Sequence, residues 1–239
     1  KLFKDKFTKV ITVMFTDLKG STCLAELHGD FTTRSVIKRH IDILTPLFKK
    51  YNGTLVKTMG DGTMSYFTVT QDAVRAAVEM QKGMDEYNLE KKVPIPILMR
   101  VGIHTGEGIV EKNDIFGDIV NVASRIEAQA NAGEIYMSEE AYNALCDKAE
   151  INCSFVKETI LKGKKDPMKL YKAFWNPVEM DRDFTARRAV PAPERGKKSP
   201  KSVKVAVAAA IALILAFAFI KFSGLSRSSD EEKRTSEYS

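Results

Sequence analysis

Short β-branched runs alternate with longer segments whose apolar residues recur at helical spacing between residues 8 and 175. That alternation restricts the chain to a mixed sheet-and-helix fold. Residues 10–16 form an apolar run suited to a buried strand. Val36, Ile37, His40, Ile41, Leu44, Leu47, Phe48 and Tyr51 describe one amphipathic helix, ended by Asn52-Gly53. Residues 54–57 and 64–68 flank Gly60-Asp61-Gly62, a hairpin signal with Asp61 at the tip. Residues 72–87 read as a second helix with Ala73, Ala76, Ala77, Met80 and Met84 as its buried face. A strand over 97–105, a helix over 119–129, a strand over 134–137, a helix over 139–145 and strands over 159–161 and 170–174 follow. The order β-α-β-β-α-β with further units predicts an α+β class: a ferredoxin-like βαββαβ core with additional αβ elements.

The charge balance bears on partners. The 239 residues carry a net charge of +6, and the excess sits in residues 185–204. A basic face on the folded part is therefore not expected, and neither is a nucleic-acid partner. After that stretch, residues 205–220 are all Ala, Val, Ile, Leu or Phe. Extended to 203–222, the run is long enough, at about 30 Å, for one C-terminal transmembrane helix. Lys and Arg crowd its N-terminal side, so the positive-inside rule places residues 1–204 in the cytoplasm of a single-pass membrane protein. Anionic membrane lipid is the expected partner of the basic stretch. The expected organisation is a folded domain over 1–178, a basic Pro-containing linker over 179–202, the membrane helix, and a short polar tail over 223–239. Cys23, Cys146 and Cys153 have neither disulfide nor zinc spacing. The chain begins on Lys and is expected to be part of a longer protein.

Two carboxylates stand out. Asp17 ends the first strand and Asp61 tips the hairpin, and those elements are neighbours in a ferredoxin-like sheet. Carboxylates at close range repel unless a cation lies between them, and oxygen-only ligands favour Mg²⁺ or Mn²⁺. The bland alternative is a turn Asp capping its own backbone at each position. Gly20-Ser21-Thr22 could cradle phosphate or merely cap a helix.

Five motifs make a resemblance. They are residues 15–22 (FTDLKGST), 57–62 (KTMGDG), 100–106 (RVGIHTG), 114–125 (DIFGDIVNVASR) and 161–164 (LKGK). In this order they resemble the class III nucleotide cyclases over about residues 8–175. The resemblance implies a metal set of Asp17 and Asp61, with Leu18 beside them, holding two Mg²⁺ (or Mn²⁺) per site. It implies base-reading roles for Lys57 and Asp114, catalytic roles for Asn121 and Arg125, and phosphate-binding roles for Lys162 and Arg100, with Lys164 as the alternative to Lys162. A Lys/Asp pair goes with adenine in this family. Adenine offers an acceptor at N1 and a donor at N6, which suit Lys and a carboxylate, whereas guanine reverses those polarities. The implied activity is an adenylyl cyclase converting ATP to 3′,5′-cyclic AMP and pyrophosphate, at sites shared between the subunits of a homodimer. The alternatives are a regulatory homologue needing a partner subunit and a cyclase for another nucleotide such as GTP. A surface ion pair of Arg125 with Glu127 or Glu139 is the bland reading of that arginine. His104 reads as structural.

Overall fold

The structure, a computed structural model, describes residues 8–90, 96–112 and 114–189, the last six without their side chains. The fold is that of a compact unit, Lys1–Thr185; the second unit, Ala186–Ser239, falls almost wholly outside the described residues. In chain order the elements are β1 (Thr8–Lys19), α1 (Ser21–Lys50), β2 (Thr54–Met59), β3 (Gly62–Phe67), α2 (Thr70–Leu89) and β4 (Leu98–Glu111). Then come β5 (Asp114–Phe116), α3 (Asp118–Glu127), β6 (Ile135–Ser138), α4 (Glu139–Asn143), β7 (Cys153–Thr159), β8 (Met168–Ala173) and α5 (Pro177–Ala189).

The sheet runs β2-β3-β1-β4-β6-β8-β7, with β5 folded back on β4. Its first four strands are mutually antiparallel, so the expected ferredoxin-like core is present. The β6 strand extends it in parallel to β4, and β8 and β7 continue antiparallel.

Period-2 alternation along β1 divides the core in two. Met14 and Leu18 face the side packed by Leu24, Val36, Leu44 and Phe48 of α1 and by the Ala and Met face of α2. Ile11, Val13 and Phe15 face the other side, with Met64, Ile115, Ile119 and Ala123. That second face, carrying α3 and β5, is where the candidate chemistry lies.

Several elements depart from expectation. The α1 helix starts fifteen residues before Val36, and only Leu24 of its first turns is buried, which leaves little periodic signal there. Gly29, at φ 78 and ψ 166, breaks it internally. The strand expected over 159–161 instead ends at Thr159, because β7 is a partly exposed edge strand with a thin apolar pattern. The linker expected from 179 begins inside α5. Pro177 suits the first helical position, and no Pro or Gly follows until Pro191. Among the described residues no helix is long and apolar enough to cross a membrane. The run expected to do so, 203–222, lies outside them.

Candidate active site

Asp17 sits near the end of β1 on the α3 face, two residues beyond Phe15. Its cross-strand partner is Arg100 of β4. Arg100 donates to Asp17 Oδ2 from Nη2 at 2.6 Å and from Nε at 3.1 Å. The β2–β3 hairpin closes tightly at Met59 and Gly62, with Gly60 left-handed at φ 64 and Asp61 at the tip as expected. Thr16 pairs with Thr63 in register, and their hydroxyls hydrogen-bond at 2.7 Å. A Cβ on Gly62 would lie 2.6 Å from Thr16 O and 3.6 Å from Asp17 Oδ1, so glycine permits this close approach. Asp61 is thereby brought beside Asp17. Burial pushes the Asp17 carboxyl up, the Arg100 hydrogen bonds oppose it, and the charge of Asp61 raises it further. Leu18 is buried in the core with its side chain turned away, so only its backbone oxygen could serve a cation.

Two neighbours of this pair carried no functional reading in the sequence. His40 of α1 is fully buried, with Nε2 3.2 Å from Met99 Sδ. Its Nδ1 lacks a hydrogen bond of good geometry, although the Asp61 backbone is near enough to favour the protonated ring. Burial outweighs that and the Asp61 charge, and lowers the imidazole pKa to about 4. Glu127, at the end of α3, is 8% exposed and forms an ion pair with Arg100. Burial foremost raises its carboxyl to about 7 against the pull of Arg100, with Asp17 and Asp61 adding to the rise. The helix reaches Arg100 because Gly102 has no side chain: a Cβ there would lie 2.1 Å from Glu127 N. The sequence offered Glu127 only as a surface partner for Arg125, since the last residue of a short amphipathic helix gives no signal of an ion pair across to a strand.

Lys57 and Asp114 meet directly. The Lys57 Nζ donates to Asp114 Oδ1 at 2.9 Å and to Oδ2 at 3.0 Å. The Lys57 hydrogen bond holds the Asp114 carboxyl below its ordinary value, helped by the Ile115 N–H at 2.8 Å. A register shift between Leu55 and Lys57 makes this possible. Leu55 packs toward α1 and α2, and strict alternation would send Lys57 to the same side. The bulge instead pairs Lys57 with Met64, on the α3 face.

Asn121 and Arg125 lie one turn apart on α3, which begins after Gly117 at φ 125. Asn121 is exposed and Arg125 half-buried. The Arg125 Nη2 lies 3.5 Å from where a Gly163 Cβ would be, so the helix brings Arg125 to the turn over 161–164. Glu127 and Glu139 pair with Arg100 and Lys169, so neither is the Arg125 partner that the bland reading supposed. Lys164 is engaged by Asp118, while Lys162 is exposed beside Gly163, which is left-handed at φ 74. His104 hydrogen-bonds Ser138 through Nδ1 at 2.8 Å, and burial lowers its pKa. Among the described residues no three His, Cys, Asp or Glu side chains cluster as a metal cage.

Known proteins share both the sequence and the fold. A "Putative adenylate cyclase 3" of Rhizobium meliloti (strain 1021) is 28% identical over 78% of this chain and 31% of its own length. "Receptor-type adenylate cyclase GRESAG 4.1" of Trypanosoma brucei brucei is 28% identical over 76% of this chain and 18% of its own. The chain thus spans less than a third of these curated relatives. The adenylyl cyclase CyaB from P. aeruginosa superposes with a TM-score of 0.65 at 28% identity, covering 70% of this chain and 94% of that one. The guanylyl cyclase Cya2 does so with a TM-score of 0.63 at 27% identity, over 70% and 92%. Relatives named for either nucleotide share the sheet that sets Asp17 beside Asp61 and Lys57 beside Asp114. The model of the adenylate and guanylate cyclase catalytic domain matches residues 3–173, and the chain belongs to that family.

Proposed function

We propose that this domain is an adenylyl cyclase, converting ATP to 3′,5′-cyclic AMP and pyrophosphate. The observation that carries the choice of nucleotide is the Lys57–Asp114 pair. Presented to a base edge, it offers one donor and one acceptor side by side. Adenine N1 would accept from Lys57, and the N6 amino group would donate to Asp114. Guanine carries a proton on N1 and a carbonyl at C6, so the same pair would face it with mismatched polarity.

In the reaction the ribose 3′-oxygen loses its proton and bonds to the α-phosphorus, and the bond to the β-phosphate bridging oxygen breaks. Asp17 and Asp61 fit a cation: both are hard oxygen donors, and the Asp17 carboxyl is raised by burial and by Asp61, a cost that positive charge would relieve. Two Mg²⁺ or Mn²⁺ held there would lower the pKa of the 3′-hydroxyl and neutralise the triphosphate. Arg125, held by α3 against the Gly163 turn, would stabilise charge developing on the α-phosphate. Lys162 would hold the leaving pyrophosphate. Asn121, one turn before Arg125, would orient the ribose for in-line attack.

The site would be shared between two copies in a symmetric dimer. One copy would supply Asp17 and Asp61, and the other Lys57, Asp114, Asn121, Arg125 and Lys162. Both sets lie in this chain, which supports a homodimer with two sites. The apolar run over 205–220 would tether the domain to a membrane with its catalytic part cytoplasmic; that reading rests on the sequence alone. Turnover of ATP and of GTP by the full chain in detergent, in Mg²⁺ and then Mn²⁺, tests the proposal. Cyclic AMP formed from ATP, with little product from GTP, is the expected result. Preference for GTP would overturn the assignment of Lys57 and Asp114.

A further inference from the structure

Glu127 is a buried acid that the proposed reaction does not use. Three features set it in place. Gly102 lets the backbone of α3 come close enough to β4 that any side chain there would collide with Glu127. Arg100 and Gly102 lie two apart on β4 and share a face, so Glu127 arrives above Arg100. The Glu127 Oε1 is in ion contact with Arg100 Nε but has no partner of hydrogen-bond geometry, so its compensation is the charge of Arg100. Arg100 in turn directs Nη2 and Nε at one oxygen of Asp17, Oδ2. The other oxygen, Oδ1, lies on the side of Gly62 and the hairpin tip.

A role in stability alone accounts poorly for such a chain of charges. Buried ion pairs often contribute no more than apolar residues of the same volume, because desolvation offsets the attraction. The arrangement has a geometric consequence instead. With its guanidinium fixed between two carboxylates, Arg100 restrains the Asp17 rotamer.

We propose that Glu127 is a positioning residue of the cation site, acting through Arg100: it anchors the guanidinium so that Asp17 is held with Oδ1 turned toward Asp61. This rests on the reading of Asp17 and Asp61 as cation ligands. Residues that orient a ligand in this way typically change metal affinity by about 10-fold or more when altered. Glu127→Gln keeps the shape and removes the charge that anchors Arg100. The neutral amide leaves Arg100 free to rotate, and Asp17 with it.

The test is Mn²⁺ binding to the full chain without nucleotide, followed by electron paramagnetic resonance. Glu127→Gln is expected to weaken Mn²⁺ binding on the order of 10-fold. In an Arg100→Met background the same substitution should have almost no further effect, because the intermediary is gone. Glu127→Asp, which keeps the charge on a shorter stem, should fall between wild type and Glu127→Gln; it carries the test if Glu127→Gln does not fold. Wild-type affinity in the folded Glu127 variants would overturn the inference. So would an equal loss with and without Arg100, since Glu127 would then act only as a nearby negative charge. Absence of Mn²⁺ binding in the wild-type chain would overturn the reading of the carboxylate pair and this inference together. Wild-type binding and turnover with unaltered variants would overturn this inference alone.

Discussion

Lys57 and Asp114 are 57 positions apart, yet the ammonium of one donates to both carboxylate oxygens of the other, at 2.9 and 3.0 Å. The pairing depends on the bulge between Leu55 and Lys57, which turns the lysine to the face of the sheet that carries β5. A one-residue irregularity in an edge strand thus assembles the pair proposed to read the base.

Reversing the polarity of that pair should reverse the preference for the base. In Lys57→Glu combined with Asp114→Cys, a carboxylate faces guanine N1–H and the acceptor opposite N6 is lost. Hydrogen bonds to charged groups are worth roughly 1.5–3 kcal/mol each. With both bonds lost, ATP turnover is therefore expected to fall by about two to four orders of magnitude, with GTP turnover rising against it. Measuring kcat/KM for both nucleotides decides the matter, and an unchanged ratio would sink the base-reading assignment.

Asp17 and Asp61 should be indispensable for turnover and dispensable for folding. Each is half-buried, and Asn in either place keeps the shape while removing the charge. If cation binding contributes several kcal/mol at the transition state, Asp17→Asn and Asp61→Asn should each lower kcat by about 100-fold or more. The urea midpoint should stay close to that of wild type. Retained Mg²⁺-dependent turnover in either variant would remove it from the metal set.

The parts of this architecture that follow local rules were legible in the sequence. Period-2 and period-3.6 patterns located the buried strands and the buried face of α2, and Gly60-Asp61-Gly62 located the hairpin. Together these implied the neighbourhood of Asp17 and Asp61. What stayed hidden depends on pairing across the sheet. The bulge at Leu55/Lys57 leaves no compositional trace, because Val56 and Lys57 suit either face. The burial of Glu127 depends on Gly102, which reads as an ordinary strand glycine until α3 is laid over it. The contact of Arg100 with Asp17 and Glu127 is fixed by strand register rather than by spacing. The short strand β5 is only three residues long, too short for any periodic signal.

The close packing at Gly102 predicts a stability effect apart from the chemistry. A methyl group there would meet the Glu127 backbone at 2.1 and 2.5 Å, and backbone cannot rotate away as a flexible side chain can. Overpacking of this kind typically costs about 1–3 kcal/mol. Gly102→Ala should lower the urea midpoint accordingly, whereas Gly106→Ala should cost less, since its nearest neighbour would be His104 Nε2 at 3.5 Å. Equal effects at the two positions would show that α3 shifts without penalty.

His40 predicts an acid-side loss of stability. Its pKa is near 4 in the folded chain against an ordinary 6.5, so below pH 6.5 the unfolded chain takes up a proton that the native chain refuses. Stability from the neutral imidazole is therefore complete above about pH 6.5 and declines as pH falls toward 4. The full difference amounts to roughly 3 kcal/mol. Glu127 works in the opposite sense over part of this range, because its raised carboxyl binds a proton in the native chain first. The clean observable is the difference between wild type and His40→Gln: it should shift by about that amount between pH 7 and pH 4. A constant difference across the range would mean that His40 is not held neutral.

The proposed sharing of the site between two copies makes a prediction that no single variant can test. Asp17→Ala destroys the carboxylate pair of its own chain but leaves Asn121, Arg125 and Lys162 intact. Arg125→Ala does the reverse. If each site draws one set from each copy, each homodimer then has two defective sites. In a mixed dimer the two defects fall together in one site, and the other site is whole. Random mixing puts half of all dimers in the mixed form, and each has one working site of two. Activity should therefore recover to about a quarter of wild type, as one intact site needs no allosteric help from the other. If each chain carried its own complete site, mixing would give only the average of the two inactive variants. The assay is cyclic AMP formation by the 1:1 mixture, with the mixed dimers confirmed by differential tags. Inactivity in a mixture shown to contain them would place each site within a single chain.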